Sequence, residues 1–357
     1  MRLAEIRLGR SSRAVSNRQG GTAIMMASPH IIGVGSGIVA AVLFASLATN
    51  TTLAMLLFYV TPLPMLLARL GWGRIAGQLS FITAVVLVGI IISLRTAVVY
   101  GVALALPALL LAYLALLSRS MIPEDAEGRP LPDMPPVVEW YPPGHIIAWA
   151  AVIAGSLAGA ALLLIGGGSA EGYQQGVRKV FEEVILPQLQ SAGVPVDPVR
   201  SERYVMTISR VVLPAVAATA WMIVMLLNLW LAAKSVSISG LLPRPWPSFA
   251  NLEYPPLMTV GFVASVGAAL LPGMPGIIAT AFVGAFGLAY LLLGLVVLHQ
   301  LAARSPFRGL VLAAIYLAVL VVNWAALVIA LIGLAEPLLE LRQRALRRSP
   351  PPKGGNT

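Results

Sequence analysis

Nine apolar runs, each 15 to 26 residues long, fill most of this 357-residue chain, and none of them contains an Asp, Glu or Lys. A run of about 20 apolar residues, rising 1.5 Å per residue, crosses the ~30 Å hydrocarbon core of a bilayer as a helix that satisfies its own backbone hydrogen bonds. The runs are Ile31–Ala48, Leu53–Leu70, Ile75–Leu94, Ala97–Leu117, Ile146–Ile165, Val211–Ala233, Leu257–Leu271, Ile277–Leu298 and Leu310–Ala335. The pattern predicts an all-α fold, a polytopic transmembrane helix bundle with the lipid bilayer as its solvent. Composition agrees: 58% of residues are hydrophobic and 11% charged, with a mean hydropathy of +0.87. A soluble domain is usually about a quarter charged.

Short turns join the first four runs, which should therefore pack as antiparallel neighbours. One bundle is expected over residues 30–340, interrupted by longer connections at 118–145, 166–210 and 234–256. The first of these is acidic and Pro-rich, and reads as an irregular solvated loop. The third carries Pro243, Pro245, Pro247, Pro255 and Pro256, which forbid a continuous helix. In the second, Val177, Val180, Phe181, Val184, Ile185 and Leu189 recur at helical spacing among charged residues. They predict one extramembrane amphipathic helix ending near Pro187 or soon after it, lying along the membrane interface or capping a mouth of the bundle.

Residues 1–29 and 341–357 read as basic tails, the second rich in proline. Met25 and Met26 stand just before the first run and are alternative translation starts, which N-terminal sequencing decides. The net charge of +10 does not point to nucleic acid. Of 24 Lys and Arg, five lie in the first 18 residues and five in the last 16, and the rest are scattered, all but Arg69 between apolar runs. That placement sets orientation in a bilayer, because positive segments stay cytoplasmic.

With nine crossings the positive charges divide 13 inside and 11 outside, no bias at all. Discounting Leu257–Leu271, which reaches about 22 Å as a helix, gives 16 inside and 8 outside, although discounting the first run gives the same division. The expectation is eight membrane helices, with nine the alternative, both termini being cytoplasmic in a cell inner (cytoplasmic) membrane.

Candidate functional positions are few. Gly33, Gly37, Ala41 and Ala45 lie four apart on one helix face, where small residues admit a close neighbour. That neighbour is either a docking membrane protein or another helix of the same bundle. A second stripe, Gly276, Thr280, Gly284 and Gly287, reads as internal packing. In the second run, Tyr59 and Thr61 precede Pro62 and Pro64, whose missing N–H groups free carbonyls near mid-span. Broken helices of this kind line the solute sites of many transporters, and a plain kink is the alternative. Asn228 and Asn323, each close to a Trp, are buried amides that either join helices or contact a solute.

Absences narrow the classes further. No run carries a carboxylate for a proton relay, and there is no Walker-type phosphate loop, HExxH or GxSxG. With no Cys and three scattered His, no metal site or other cofactor is expected. The chain is not expected to be an enzyme.

Phe58-Tyr59, Pro62-Leu63-Pro64 and Gly71-Trp72-Gly73 together resemble the signature of the YybS-like family of uncharacterised bacterial polytopic membrane proteins. Glu139-Trp140-Tyr141-Pro142-Pro143-Gly144, Asn228-Leu229-Trp230-Leu231-Ala232, Arg244-Pro245-Trp246-Pro247 and Gly294-Leu295 with His299 extend the likeness over about Ile31 to Arg342. The first half is also distantly similar in pattern to the substrate-binding subunits of energy-coupling-factor transporters. That likeness implies a solute-binding subunit that docks on a separate energy-supplying module, with Gly37, Ala41 and Ala45 at the docking positions. The leading expectation is a transporter-like solute-binding membrane subunit needing an external partner. The alternative is a structural or assembly factor organising other membrane proteins in the cell envelope.

Overall fold

A computed structural model describes residues 28–49, 51–123, 135–193, 197–249, 252–303, 305–322, 324–342 and 344. The N-terminal tail up to residue 27, the acidic part of the 118–145 loop, Asn323 and nearly all of the C-terminal tail lie outside them. Contacts divide the chain into two compact units. One is Met1–Leu109 with Leu231–Leu242, the other Leu110–Trp230 with Pro243–Thr357.

In the first unit, α1 (Pro29–Ala45), α2 (Thr52–Tyr59), α3 (Leu63–Ile91) and α4 (Leu94–Tyr100) follow one another. Hydroxyl residues cap three of their starts. Ser28 Oγ accepts from the His30 N–H at 3.4 Å, Thr51 Oγ1 from Ala54 N–H at 3.2 Å, and Ser93 Oγ from Thr96 N–H at 3.1 Å. Each satisfies a backbone donor that the first helical turn leaves over. The core of this unit is the contact of α1 with α3. A Cβ on Gly33 would lie 2.8 Å from Ala76 O, and one on Gly37 2.6 Å from Ser80 O, so the two backbones touch because neither glycine has a side chain. Phe44 stacks obliquely against Tyr100 at 4.8 Å and Phe58 at 6.0 Å, tying α1 to α2 and α4.

The helices that follow are α5 (Leu106–Ala115), α6 (Pro143–Ile165), α7 (Ala170–Val180), α8 (Leu186–Ser191), α9 (Pro198–Thr207) and α10 (Leu213–Ile238), then α11 (Pro256–Ala269), α12 (Gly273–Ala302), α13 (Arg308–Val321) and α14 (Ala325–Leu339). Three π-helical turns, Gly101–Ala105, Phe181–Ile185 and Ile208–Val212, join α4 to α5, α7 to α8 and α9 to α10. Each ends two residues before a proline: Pro107, Pro187 and Pro214. Proline has no N–H for the carbonyl one turn back and its ring crowds that carbonyl, and a widened turn relieves both. The amphipathic helix therefore runs through Pro187 and ends soon after it, at Ser191.

α12 is the central helix of the second unit. Gly155 and Gly159 of α6 admit Phe282 and Ile278, Gly284 of α12 meets the Ala215 backbone of α10, and Gly294 and Gly333 make a backbone crossing of α12 with α14. α7 caps this packing: Ala170 and Tyr173 are buried with Leu162, Met274 and Ile277, Val177 packs beside them, and Val180 and Val184 stay exposed. The ends of the 118–145 connection pair as an antiparallel ribbon, β1 (Ser118–Met121) with β2 (Val137–Trp140), where an irregular loop is expected.

Among the described residues, six helical stretches are long and apolar enough to cross a membrane, or up to seven if α13 and α14 count as one bent span. This is fewer than the expected eight or nine, for three reasons. The second and third apolar runs join into one stretch, Thr52–Ile91. The seventh yields α11, of 14 residues. The ninth breaks, through extended backbone at Val322, into α13 and α14 bent by 119°.

Candidate functional site

The break in the second run closes on itself. Val60, Thr61 and Leu63 donate their N–H groups to the carbonyls of Leu57, Phe58 and Val60 at 3.0–3.2 Å, in tight turns that replace the bonds Pro62 and Pro64 cannot make. Thr61 is fully buried, its hydroxyl 3.5 Å from Leu57 O, while Tyr59 is half-exposed with its ring edge-on to Phe58. The carbonyls of Phe58 and Val60, which Pro62 and Pro64 leave without their helical donors, are each bonded within the turn. Asn228 is buried in α10 and its amide donates to Val224 O at 2.8 Å, within its own helix. It falls in the second unit, whereas Tyr59, Thr61, Pro62 and Pro64 fall in the first, and Asn323 lies outside the described residues. On the candidate docking stripe, Gly33 and Gly37 are covered by α3 and Ala41 is fully buried, so these three positions are filled from within the chain, while Ala45 is half-buried.

A different group of residues comes together at the end of α5 and the start of α6. The ribbon places Arg119 directly opposite Glu139, and Arg119 Nε donates to Glu139 Oε2 at 2.6 Å. Tyr141 N–H donates to Leu117 O at 2.8 Å, which closes the ribbon onto the end of α5. Pro142 then turns the chain with extended backbone (φ −61°, ψ 137°) and Pro143 starts α6 with its φ already helical. At Gly144 any Cβ would collide with the carbonyl of Glu253, so glycine here lets the 252–254 segment lie on the helix start.

Aromatic groups fix the surroundings. The Tyr141 ring stands edge-on to the His145 ring at 5.4 Å, and Trp149 Nε1–H donates to Tyr141 Oη at 3.2 Å. From the 234–256 connection, Arg244 reaches back: its Nη1 donates to Ala115 O at 3.0 Å, and its guanidinium carbon lies 6.0 Å from the Trp140 ring centre. Partial burial lowers the Arg244 guanidinium below its ordinary pKa, though such a group stays protonated in proteins.

Leu117, Arg119, Glu139, Trp140, Tyr141 and His145 form part of the wall of an open cleft of about 460 Å³. The volume is in the range of small-molecule sites. His145, on the cleft wall, has a buried Nδ1 with no hydrogen-bond partner among the described residues. Among the described residues no three His, Cys, Asp or Glu side chains converge as a metal site would need. The arrangement is suited to holding a polar molecule against aromatic surface. The residue types that signal it are in the EWYPPG and RPWP motifs, but nothing in their spacing tells that they meet.

Long apolar helices, with a cleft at the end of two of them, define an integral, polytopic α-helical membrane protein in contact with the lipid bilayer. The chain belongs to the family described as Predicted membrane protein (DUF2232), whose model matches residues 38–336. That match covers most of the span over which the YybS-like resemblance runs. No curated protein and no solved structure matches the chain.

Proposed function

We propose that this chain is a transporter-like, solute-binding membrane protein of a bacterial inner membrane, dependent on a separate subunit for energy and without catalytic chemistry of its own. The observation that supports the reading is the cleft of about 460 Å³ beside α5 and α6, with charged, aromatic and unpartnered polar groups on its walls. The lack of a nucleotide-binding loop and of carboxylates in the apolar runs leaves any driving force to a partner. Such a partner would engage a surface other than the Gly33–Gly37 face.

Eight crossings belong to the same proposal. Thr52–Ile91 would be about 60 Å long if straight, twice the ~30 Å core. Within it Gly73 is non-helical (φ 83°, ψ −161°). A Cβ on Gly77 would also lie 2.9 Å from Arg69 Cβ, where a continuous helix holds those positions about 12 Å apart. The stretch therefore doubles back at Gly73 into segments 52–72 and 74–91, about 32 and 27 Å long. With α11 short of a crossing and α13–α14 taken as one bent crossing, the total is eight and both termini are cytoplasmic.

The test is native mass spectrometry of the full chain purified in mild detergent. A small molecule released at one per chain is the expected result, and a chain that carries no solute under any mild extraction overturns the proposal. An assembly role is the second reading, favoured by the exposed Val180 and Val184 of the extramembrane helices. Crosslinking from Val184 to a stable protein partner, with no solute bound, would select it.

A further inference from the structure

If the cleft is a solute site, as proposed, the chemistry of its walls narrows the ligand. Arg119 is 71% exposed and Glu139 50% exposed, so water screens the bridge between them and little is lost when Arg119 leaves it. A guanidinium presents a planar fork of N–H donors that matches two oxygens of an anion such as phosphate. His145, on the cleft wall, carries a buried Nδ1 without a hydrogen-bond partner among the described residues, and a turn of the ring would present it to a ligand atom.

His145 also sits in the first turn of α6, which has no acidic residue and no side-chain cap. The positive end of that helix dipole is left for another negative group to complement. Arg244 adds a second cation beside Trp140, while Trp140 and Leu117 supply apolar wall.

We infer that the cleft binds a phosphate-bearing ligand. Arg119 and the His145 end of α6 hold the anionic oxygens, and Trp140 and Leu117 contact the organic part. The cleft lies where two apolar helices, α5 and α6, end and begin. Phospholipid headgroups lie at that level, and water-soluble organophosphates reach it from the aqueous side. The two sources share the same chemistry.

The experiment titrates the full chain, in neutral maltoside detergent, with glycerol 3-phosphate and separately with dihexanoylphosphatidylglycerol, followed by calorimetry. At least one probe is expected to saturate at one per chain. Saturation by the lipid alone assigns a headgroup, and saturation by both assigns a soluble phosphate. Arg119→Gln is expected to weaken binding about tenfold, as for one lost charge-assisted pair. Glu139→Gln removes the competing carboxylate and its charge, and is expected to tighten binding about threefold.

A merely structural bridge would move the two variants in the same direction. The inference is overturned if neither probe saturates. It is equally overturned if both variants bind as wild type or shift together while their thermal unfolding is unchanged. A chain that retains a neutral solute yet ignores both phosphates defeats this inference and leaves the solute-binding reading standing. A chain that binds nothing defeats both.

Discussion

Glu336 is 4% exposed, and its carboxylate accepts from Arg342 Nε at 2.6 Å and from the Leu341 N–H at 3.0 Å, just beyond the left-handed turn at Glu340. Arg342 donates onward to Leu252 O at 3.1 Å, fastening the end of α14 to the segment before α11. Removing one partner strands the other buried charge, so Glu336→Ala is expected to lower stability by about 3–5 kcal/mol. Replacing both with apolar residues of similar size should cost much less, and thermal unfolding in detergent compares the two. At the α12–α14 crossing, Gly333→Ala forces a methyl onto Tyr290 O, and a loss of about 1–3 kcal/mol is expected in the same assay. The residues at such crossings are legible as small-residue spacing. Which helix fills the stripe is not, because a glycine face records that something comes close without recording what. Glu336 escapes a reading based on apolar runs because it sits one position beyond the last of them, yet helix and burial continue past it.

At the scale of elements, proline positions are written in the sequence, and their consequences depend on what the chain does around them. Pro107, Pro187 and Pro214 each follow a π-helical turn that lets the helix pass, while Pro62 follows a tight turn that ends α2. Since that break satisfies its own carbonyls, Pro62→Ala is expected to leave solute retention within about threefold of wild type. A site built from freed backbone would lose most of it, and native mass spectrometry reads the difference. Gly73 has a positive φ with extended ψ, a region essentially reserved for glycine, and a Cβ there would touch nothing within 4 Å. Gly73→Ala is thus a backbone effect alone, expected to cost about 1–3 kcal/mol. Gly71→Ala, where Val236 lies at ordinary contact distance of 3.5 Å, should cost under about 1 kcal/mol. Apolar composition alone does not show the break between α13 and α14, since the run from Leu310 to Ala335 stays apolar on both sides of it.

For the whole molecule, the contact of Arg244 with Trp140 and Ala115 carries topological weight. It holds the start of α6 beside the segment that follows α10, and α6 and α10 both lie in stretches long and apolar enough to cross a membrane. In the proposed arrangement these two stretches cross in opposite directions, so the 118–145 and 234–256 connections share a face. The remaining parity turns on Thr52–Ile91, and the chain has no native Cys to interfere with cysteine labelling. The most direct measurement is labelling of Thr51→Cys, Arg74→Cys and Ser93→Cys, singly, by a membrane-impermeant thiol reagent added from either side. A chain that doubles back at Gly73 exposes positions 51 and 93 on one face and 74 on the other. Labelling of 51 and 93 from opposite faces would make the stretch a single crossing and contradict the eight-crossing arrangement.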